Sequence, residues 1–293
     1  MVQSKSFSYK VFQFINYAVL CLVAFLCLAP MLHTLFASFS NPSRLGAHVG
    51  IILKPLGFTL EGYRLVLNNP NIYNGYVNTA IYVVGSVSLG LFLTVTSGYV
   101  LSRKRLYFRN GLMFFIVFSM IFNGGIIPFY MIVRNLGWLD SRLSLIIPGC
   151  CSAFNIIIMR TSMAEIPDSL EEAARIDGAG SLTVLLRVII PLSKATIAVI
   201  ILFSAVAQWN AWFNASMFLQ NRGLYPLQLV LRDILIKNDT AQMGREDMES
   251  SMAIYKELVK YCTTVVATVP ILLIYPFVQK HFVKGVMIGS IKG

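Results

Sequence analysis

Charged side chains gather in one short segment between two long apolar runs, which reads IPDSLEEAARIDGAG over residues 166–180. Asp168 or Ser169 can cap the N-terminus of a helix there. Glu171 or Glu172, about three residues further on, would complete a capping box. Gly178 can adopt a positive φ and end the helix. The spacing therefore predicts a helix of about two or three turns with charged groups available for binding.

This predicted helix has one face of small side chains bordered by charge. The face consists of Leu170, Ala173, Ala174 and Asp177, and the border of Glu171, Glu172 and Arg175. Small side chains allow another backbone to approach closely, and so short a helix cannot bury such a face alone. The face indicates a partner surface, although the residues alone leave open that the segment folds back on the apolar runs as an ordinary amphipathic loop.

A second group of side chains could bind a sugar. It lies near the end of the fifth apolar run and consists of Trp209, Asn210, Trp212 and Asn214. Indole rings cover the C–H faces of sugars and amides bond their hydroxyl groups, but the same residues could form an interfacial aromatic belt. Asn155 lies inside the fourth run, where an unpaired amide is costly, so we expect it to face another helix or an aqueous cavity.

Metal, redox and nucleotide chemistry have no support in the sequence. The five cysteines fall in apolar stretches without the spacing of a zinc or redox site, and the three histidines are dispersed. No Gly-x-x-x-x-Gly-Lys-Ser/Thr phosphate loop is present. The net charge of +11 is scattered between apolar runs. We therefore expect no catalytic residue, metal site or cofactor-binding residue, and no nucleic-acid partner.

Apolar residues dominate the chain and indicate a membrane protein. Of 293 residues, 56% are hydrophobic and 13% charged, and the mean hydropathy is +0.69, which is too apolar for a soluble domain. A helix crosses a hydrocarbon core of about 30 Å with about 20 residues. The runs of sufficient length are 13–39, 75–101, 111–134, 143–163, 188–213 and 258–280. They predict an all-α integral membrane protein with six transmembrane helices.

Positive charge in the short connections predicts the orientation. Residues 102–110 hold four basic side chains and no acid, whereas 134–142 hold two arginines and one aspartate. Because short cytoplasmic loops are rich in Lys and Arg, the first connection is expected inside and the second outside. Both termini and the 164–187 loop are then cytoplasmic.

The same orientation divides the rest of the chain. A cytoplasmic N-terminus covers 1–12, a transmembrane domain 13–283 and a cytoplasmic tail 284–293, with external segments at 40–74 and 214–257. Leu, Val and Ile recur near helical spacing in Leu224–Ile236, which predicts a short interfacial helix within the second external segment.

The charged segment also carries a motif. Glu172-Ala-Ala is followed after three residues by Gly178 and, nine residues later, by Val188-Ile-Ile-Pro191. This pattern resembles the EAA signature of ABC-importer permeases. Val188 and Ile190 stand where that family usually has Ile and Leu, and both preserve apolar bulk.

Further segments resemble carbohydrate-uptake permeases of the maltose-importer type. They are Gly124–Pro128, Leu136–Asp140, Gln208–Asn214 and Phe282–Gly293. The similarity covers most of the chain from the second run onward. It points in particular to the subgroup for complex or acidic oligosaccharides, such as the second permease subunit of a bacterial alginate importer.

This resemblance implies a type I ABC importer fold whose short cytoplasmic helix couples it to a separate ATPase subunit. The residues implied in coupling are Glu171, Glu172, Ala173, Ala174, Asp177 and Gly178. ATP would be bound and hydrolysed by the ATPase, and the chain itself would be no enzyme. Further implied partners are a homologous second permease subunit, a second ATP-binding subunit, an extracytoplasmic solute-binding protein and an oligosaccharide, with the assembly in the bacterial inner membrane.

The resemblance also places Asn210 by an outer gate, with Trp209 and Asn155 as further candidates for the substrate path. An ion-gradient-driven secondary carrier is the alternative. That class places ionisable residues within its spans, whereas these runs are nearly free of Asp and Glu. A membrane-embedded enzyme would need a His, Asp or Ser constellation that the sequence does not offer.

Overall fold

The described part of the chain is helical. The structure, a computed structural model, describes residues 7–122, 124–241 and 255–273. The helices are α1 (Phe7–Ser38), α2 (Pro42–Gly46), α3 (Glu61–Leu67), α4 (Pro70–Ser102), α5 (Arg109–Ile121), α6 (Ile126–Asn135), α7 (Leu143–Cys150), α8 (Ala153–Ala164), α9 (Asp168–Ile176), α10 (Ser181–Val184), a π-helical turn (Leu185–Ile189), α11 (Ile190–Leu192), α12 (Lys194–Trp209), α13 (Phe213–Phe218), a 3-10 turn (Arg222–Leu224), α14 (Leu227–Ala241) and α15 (255–273).

Within these ranges, two helices are long and apolar enough to cross a membrane by themselves. They are α1, over Tyr9–Ser38, and α4. Up to five spans result if each of three bent helix pairs forms one. The predicted sixth run, 258–280, is helical as far as residue 273, and the rest of it lies outside the described residues, as do 1–6, 242–254 and the predicted tail 284–293.

Three predicted runs are bent or divided in the structure. The run 111–134 is divided between α5 and α6, and 143–163 between α7 and α8, which are bent by 42°. The third break lies within 188–213, where Ser181–Leu192 and Lys194–Trp209 are bent by 81°. Each broken run contains glycine or proline, which apolar length alone does not take into account.

Proline explains the sharp bend before α12. Pro191 has no N–H, so the carbonyl of Arg187 loses its usual i+4 donor. The preceding turn widens into a π-helix, and the N–H of Ile190 bonds to the carbonyl of Leu185. The chain then leaves Ser193 in a new direction as α12.

Contacts divide the described residues into two compact units, 7–69 with 233–241 and 255–268, and 70–122 with 124–232 and 269–273. In the first unit, the Ser38 hydroxyl lies 2.7 Å from the Tyr63 hydroxyl. Cys262 of α15 donates to the Ser38 carbonyl at 3.2 Å. These bonds hold the end of α1 between α3 and α15.

The second unit is built around α4, which packs against α7, α8 and α12. Glycine permits the close approach: a Cβ at Gly98 would lie 2.6 Å from Met159 Cγ on α8, and one at Gly90 would overlap the carbonyl oxygen of Cys150 on α7. Toward one end of α4, an apolar cluster fills the space between α8, α10 and α12. Its buried members are Val95, Tyr99, Met159, Met163, Val184, Leu185, Ile189 and Ile200.

The expected helix in the second external segment is present. α14 begins at Leu227 and continues to Ala241, which covers most of Leu224–Ile236. Leu227, Leu229, Val230 and Leu231 in its first turns are buried. Hydrophobic spacing was therefore sufficient to predict this element.

Candidate coupling site

The charged segment forms a short helix, but it begins differently from our expectation. α9 runs from Asp168 to Ile176, and Pro167 occupies the N-cap position without a side-chain cap. The predicted capping box is therefore wrong. Asp168 and Glu171 instead pair with the guanidinium of Arg103 at the end of α4. A guanidinium gives a carboxylate a stronger contact than a neutral backbone N–H does.

The predicted end of the helix is confirmed. Gly178 has a φ of +83°, a conformation that glycine adopts without strain. The N–H of Ala179 bonds to the carbonyl of Ala174 at 2.9 Å, and that of Gly178 to Arg175 at 3.0 Å. These two bonds form a Schellman motif, which turns the chain sharply away from α9.

The two interpretations left open by the sequence apply to opposite faces of α9. On the inner face, Ala174 packs against the apolar cluster at the end of α4, with Ile166 and Ala179 from the flanking turns. The outer face leaves Glu172, Ala173 and Asp177 exposed. The helix thus folds back on its own chain and still presents small and charged side chains outward. Ala174 is the member of the predicted face that is turned inward.

An ion cluster around the buried Glu171 holds the inner face of α9. Glu171 is 8% exposed. Its Oε1 accepts from the Tyr99 hydroxyl at 3.2 Å and from Arg175 Nη2 at 2.7 Å, while its Oε2 lies 3.0 Å from Arg103 Nε as an ion pair without hydrogen-bond alignment. Arg103 Nη1 also donates to Asp168 Oδ1 at 3.1 Å. The bond to Glu171 raises the pKa of the Arg175 guanidinium above its ordinary value.

The outer face has only a weak internal contact. Arg105 Nη2 lies 3.5 Å from Glu172 Oε1, and the two side chains are 79% and 60% exposed. Exposed pairs of this kind contribute about 0–1 kcal/mol. Glu172 is therefore available to another molecule, whereas Glu171 is not.

These contacts also show that two loops lie at the same end of the unit. Arg103 belongs to the 102–110 connection and Asp168 to the 164–187 loop, which the charge pattern assigned to one side of the membrane. A cavity of about 400 Å³ lies beside these contacts and includes Arg103 and Glu171 in its wall. In the described ranges, no three His, Cys, Asp or Glu side chains come together as a metal site would require.

Sequence reasoning missed a polar site near the start of α4. Asn78 Nδ2 donates to the carbonyls of Gly223 and Tyr225 at 2.7 and 3.2 Å. The Tyr82 hydroxyl donates to the carbonyl of Leu224 at 2.7 Å, and Thr79 Oγ1 accepts from the N–H of Leu227 at 2.8 Å. We call residues 223–227 the outer segment. Asn78 and Thr79 interrupt an apolar run, and that interruption was the available signal.

Asp140 fixes the chain just before the outer segment. Its carboxylate Oδ1 accepts from the backbone N–H groups of Gln220 and Asn221 at 3.0 and 2.8 Å, and its own N–H donates to the carbonyl of Phe218 at 2.8 Å. Asp140 has a φ of +53°, which aspartate and asparagine tolerate better than most residues. The 134–142 turn therefore lies beside the start of the predicted external segment.

Asp140→Ala is expected to loosen this connection by about 1–2 kcal/mol, because two amides lose their charged acceptor and alanine is strained at positive φ. Asp140→Asn is the matched control, since its side-chain oxygen still accepts. Faster hydrogen exchange at the Gln220 and Asn221 amides in the alanine variant alone would show the effect. Equal exchange in both variants would contradict it.

The three residues predicted for the substrate path have different surroundings. Asn155 is 9% exposed, and its Nδ2 donates to Ser204 Oγ on α12 at 3.1 Å, so the interhelical hydrogen bond is present. Asn210 is exposed and donates to the Val206 carbonyl at the end of α12. The Trp209 ring lies 6.2 Å from that of Tyr76, and its buried indole N–H has no hydrogen-bond partner among the described residues. A substrate role for all three stays a prediction.

Comparison with known families gives the decisive observation. Residues 2–288 match the family of binding-protein-dependent transport system inner membrane components. The chain belongs to this family. It is a membrane transport component and a sugar ABC importer permease of all-α type I fold. The ion-gradient-driven carrier is accordingly not favoured.

Relatives of this permease match its sequence or fold over nearly its whole length. It is 38% identical over 284 residues to the polygalacturonan/rhamnogalacturonan transport system permease YtcP of Bacillus subtilis, covering 97% of this chain and 99% of the relative. The maltodextrin transport system permease MdxG of the same organism is 27% identical, with 95% of each chain covered. A chain in the crystal structure of a bacterial ABC transporter involved in import of the acidic polysaccharide alginate matches with a TM-score of 0.87 at 33% identity, covering 96% of this chain and all of that one.

Proposed function

We propose that this permease moves oligosaccharides, including acidic ones, into the cytoplasm and that it is driven by a separate ATPase which docks on the outer face of α9. The observation that carries the proposal is the two-sided construction of this helix. Its inner face is held to the end of α4 by the ion cluster around the buried Glu171, while Glu172, Ala173 and Asp177 remain exposed. A short helix with a rigid inner attachment and a free outer face suits a docking partner.

The other members of the assembly follow from the family. They are a homologous second permease subunit, two ATP-binding subunits and an extracytoplasmic solute-binding protein. The α9 end of the second unit and both termini would face the cytoplasm, as the basic 102–110 connection indicates. ATP would bind only to the partner, and this chain would hold no cofactor of its own. Closure of the ATPases would displace α9 and drive alternating access as a rigid-body movement.

An acidic substrate is supported by similarity and by charge. One relative is named for polygalacturonan and rhamnogalacturonan transport, and the structural neighbour comes from an alginate importer. Near the outer segment, the Arg232 guanidinium lies over the Trp212 ring at 4.1 Å. A basic group on an aromatic ring suits a sugar acid, whose carboxylate seeks a cation.

Reconstitution of the complete complex tests the proposal. The purified permease should bring an ATPase subunit with it, and hydrolysis in proteoliposomes should rise with uronic-acid oligosaccharides presented by the binding protein. A wild-type complex without an ATPase subunit would overturn the proposed function. Stimulation by neutral oligosaccharides alone would overturn the acidic substrate while leaving the importer in place.

Glu172→Arg should weaken ATPase docking by roughly tenfold or more, because the substitution reverses the charge at the proposed contact surface. Glu165→Arg is the matched control, since Glu165 is also exposed and lies just after α8. Co-purification at increasing salt measures the difference. Equal retention of the ATPase by both variants would place the docking surface elsewhere.

A further inference from the structure

The polar sites at the two ends of α4 are joined by an uninterrupted helix. We infer that α4 is a rigid connection by which movement of α9 reaches the outer segment, and that Arg103 is the positioning residue that ties α9 to it. This inference rests on the proposed function, because it assumes an ATPase that moves α9. It concerns the inner face of α9, which the docking proposal does not use.

The attachment at the α9 end is strong enough to transmit movement. Arg103 binds two carboxylates of α9, and its side chain is only 14% exposed. Tyr99, one turn earlier on α4, donates to the same Glu171 and lies under the Arg103 guanidinium, whose Cζ is 5.2 Å from the ring centroid. Several partly desolvated, charge-assisted contacts hold one geometry more firmly than a single exposed pair.

Between its ends α4 has no break. It contains 33 residues, which corresponds to a length of about 50 Å at 1.5 Å per residue. The neighbouring paths are less direct, because α7 and α8 are bent by 42° and the helices on either side of Ser193 by 81°. A push at α9 would be absorbed at those bends, whereas α4 moves as one body.

At the other end, α4 holds the outer segment through its backbone. Asn78, Thr79 and Tyr82 together bond to four backbone groups between Gly223 and Leu227. Tyr82 is 1% exposed, so this contact is also shielded from water. The outer segment leads directly into α14, and its position therefore follows that of α4.

The consequence is that signals pass in both directions. Displacement of α9 shifts the outer segment, and a molecule that binds near the outer segment changes the position of α9. This reciprocity is a thermodynamic requirement of any coupling between two sites. A binding protein acting from outside would thus stimulate the ATPase through α4.

The test uses the complete complex with its ATPase and binding protein in proteoliposomes. The readout is the factor by which the substrate-loaded binding protein stimulates ATP hydrolysis. Arg103→Gln should lower this factor roughly fivefold or more while the ATPase subunit still co-purifies. Arg103→Lys should restore part of the response because it keeps the charge. Lys104→Gln removes a charge from the exposed neighbouring position and should change nothing.

A double variant provides the decisive comparison. Tyr82→Phe removes the bond to Leu224, and it lies 21 residues from Arg103, about 30 Å along the helix. The free-energy effects of distant, independent sites add. If Arg103 and Tyr82 are not coupled, the two reductions in the stimulation factor would therefore multiply. If α4 carries the signal, Arg103→Gln with Tyr82→Phe is no worse than the stronger single variant.

Three results would overturn the inference. They are a multiplied loss in the double variant, an unchanged stimulation factor in Arg103→Gln, and loss of the ATPase from Arg103→Gln, which would make that residue part of the docking surface. A wild-type complex without ATPase would refute the proposed function itself. Thermal unfolding of each purified complex separates these effects from a general loss of folding.

Discussion

Gly178→Val is expected to abolish most transport while the membrane part of the chain still folds. The Gly178 φ of +83° is strained for a β-branched residue, at a cost of about 1–3 kcal/mol. Relief of that strain would unwind the Schellman turn and change the angle between α9 and the residues that follow it. Oligosaccharide uptake into proteoliposomes should therefore fall steeply, together with retention of the ATPase.

Gly180→Val is the control for this prediction. Gly180 has a φ of −71°, and a Cβ at either glycine meets nothing within 4 Å. The two variants therefore add the same atoms and differ chiefly in backbone strain. Similar uptake by both proteins would show that the left-handed turn has no part in coupling.

Gly90→Ala is expected to destabilise the second unit by about 3 kcal/mol or more. The overpacking is between two backbones, which cannot rearrange as a flexible side chain can. The added methyl would overlap the backbone carbonyl oxygen of Cys150, and it could be accommodated only by separation of α4 from α7. A lower unfolding temperature in detergent and a lower yield of folded protein would measure the loss.

The control is Gly124→Ala, where a Cβ has no neighbour within 4 Å. It adds the same methyl group to another glycine in an apolar part of the chain. If both variants unfold at the same temperature, the approach of α4 to Cys150 is not a tight contact.

Much of α9 could be predicted because its determinants are local. Gly178, which can adopt a positive φ, was enough to predict where the short helix ends, whereas the capping box predicted for its start was wrong. The inward direction of Glu171 was not accessible in this way, since Glu171 and Glu172 both fit the capping spacing. The choice depends on Arg103, which lies 65 positions before Asp168 in the chain.

The breaks in the long helices show a different limit. Apolar length correctly indicated α1 and α4, but it treated the run through Pro191 as continuous. The lost N–H of proline, together with its steric demand, decides the helix geometry there, and hydropathy does not record either. Asn78 and Thr79 were likewise averaged into an apolar run, although a buried polar group requires a partner.

The π-helical turn at Leu185–Ile189 bears on how permeases of unequal length should be aligned. A π turn is an α turn with one residue inserted. A relative that lacks one residue at this point could form a regular α turn over the same distance, with the side chains beyond Ile190 in equivalent places. A single-residue gap here would then record a change of helix type, and the side chains of α12 would keep equivalent places across it.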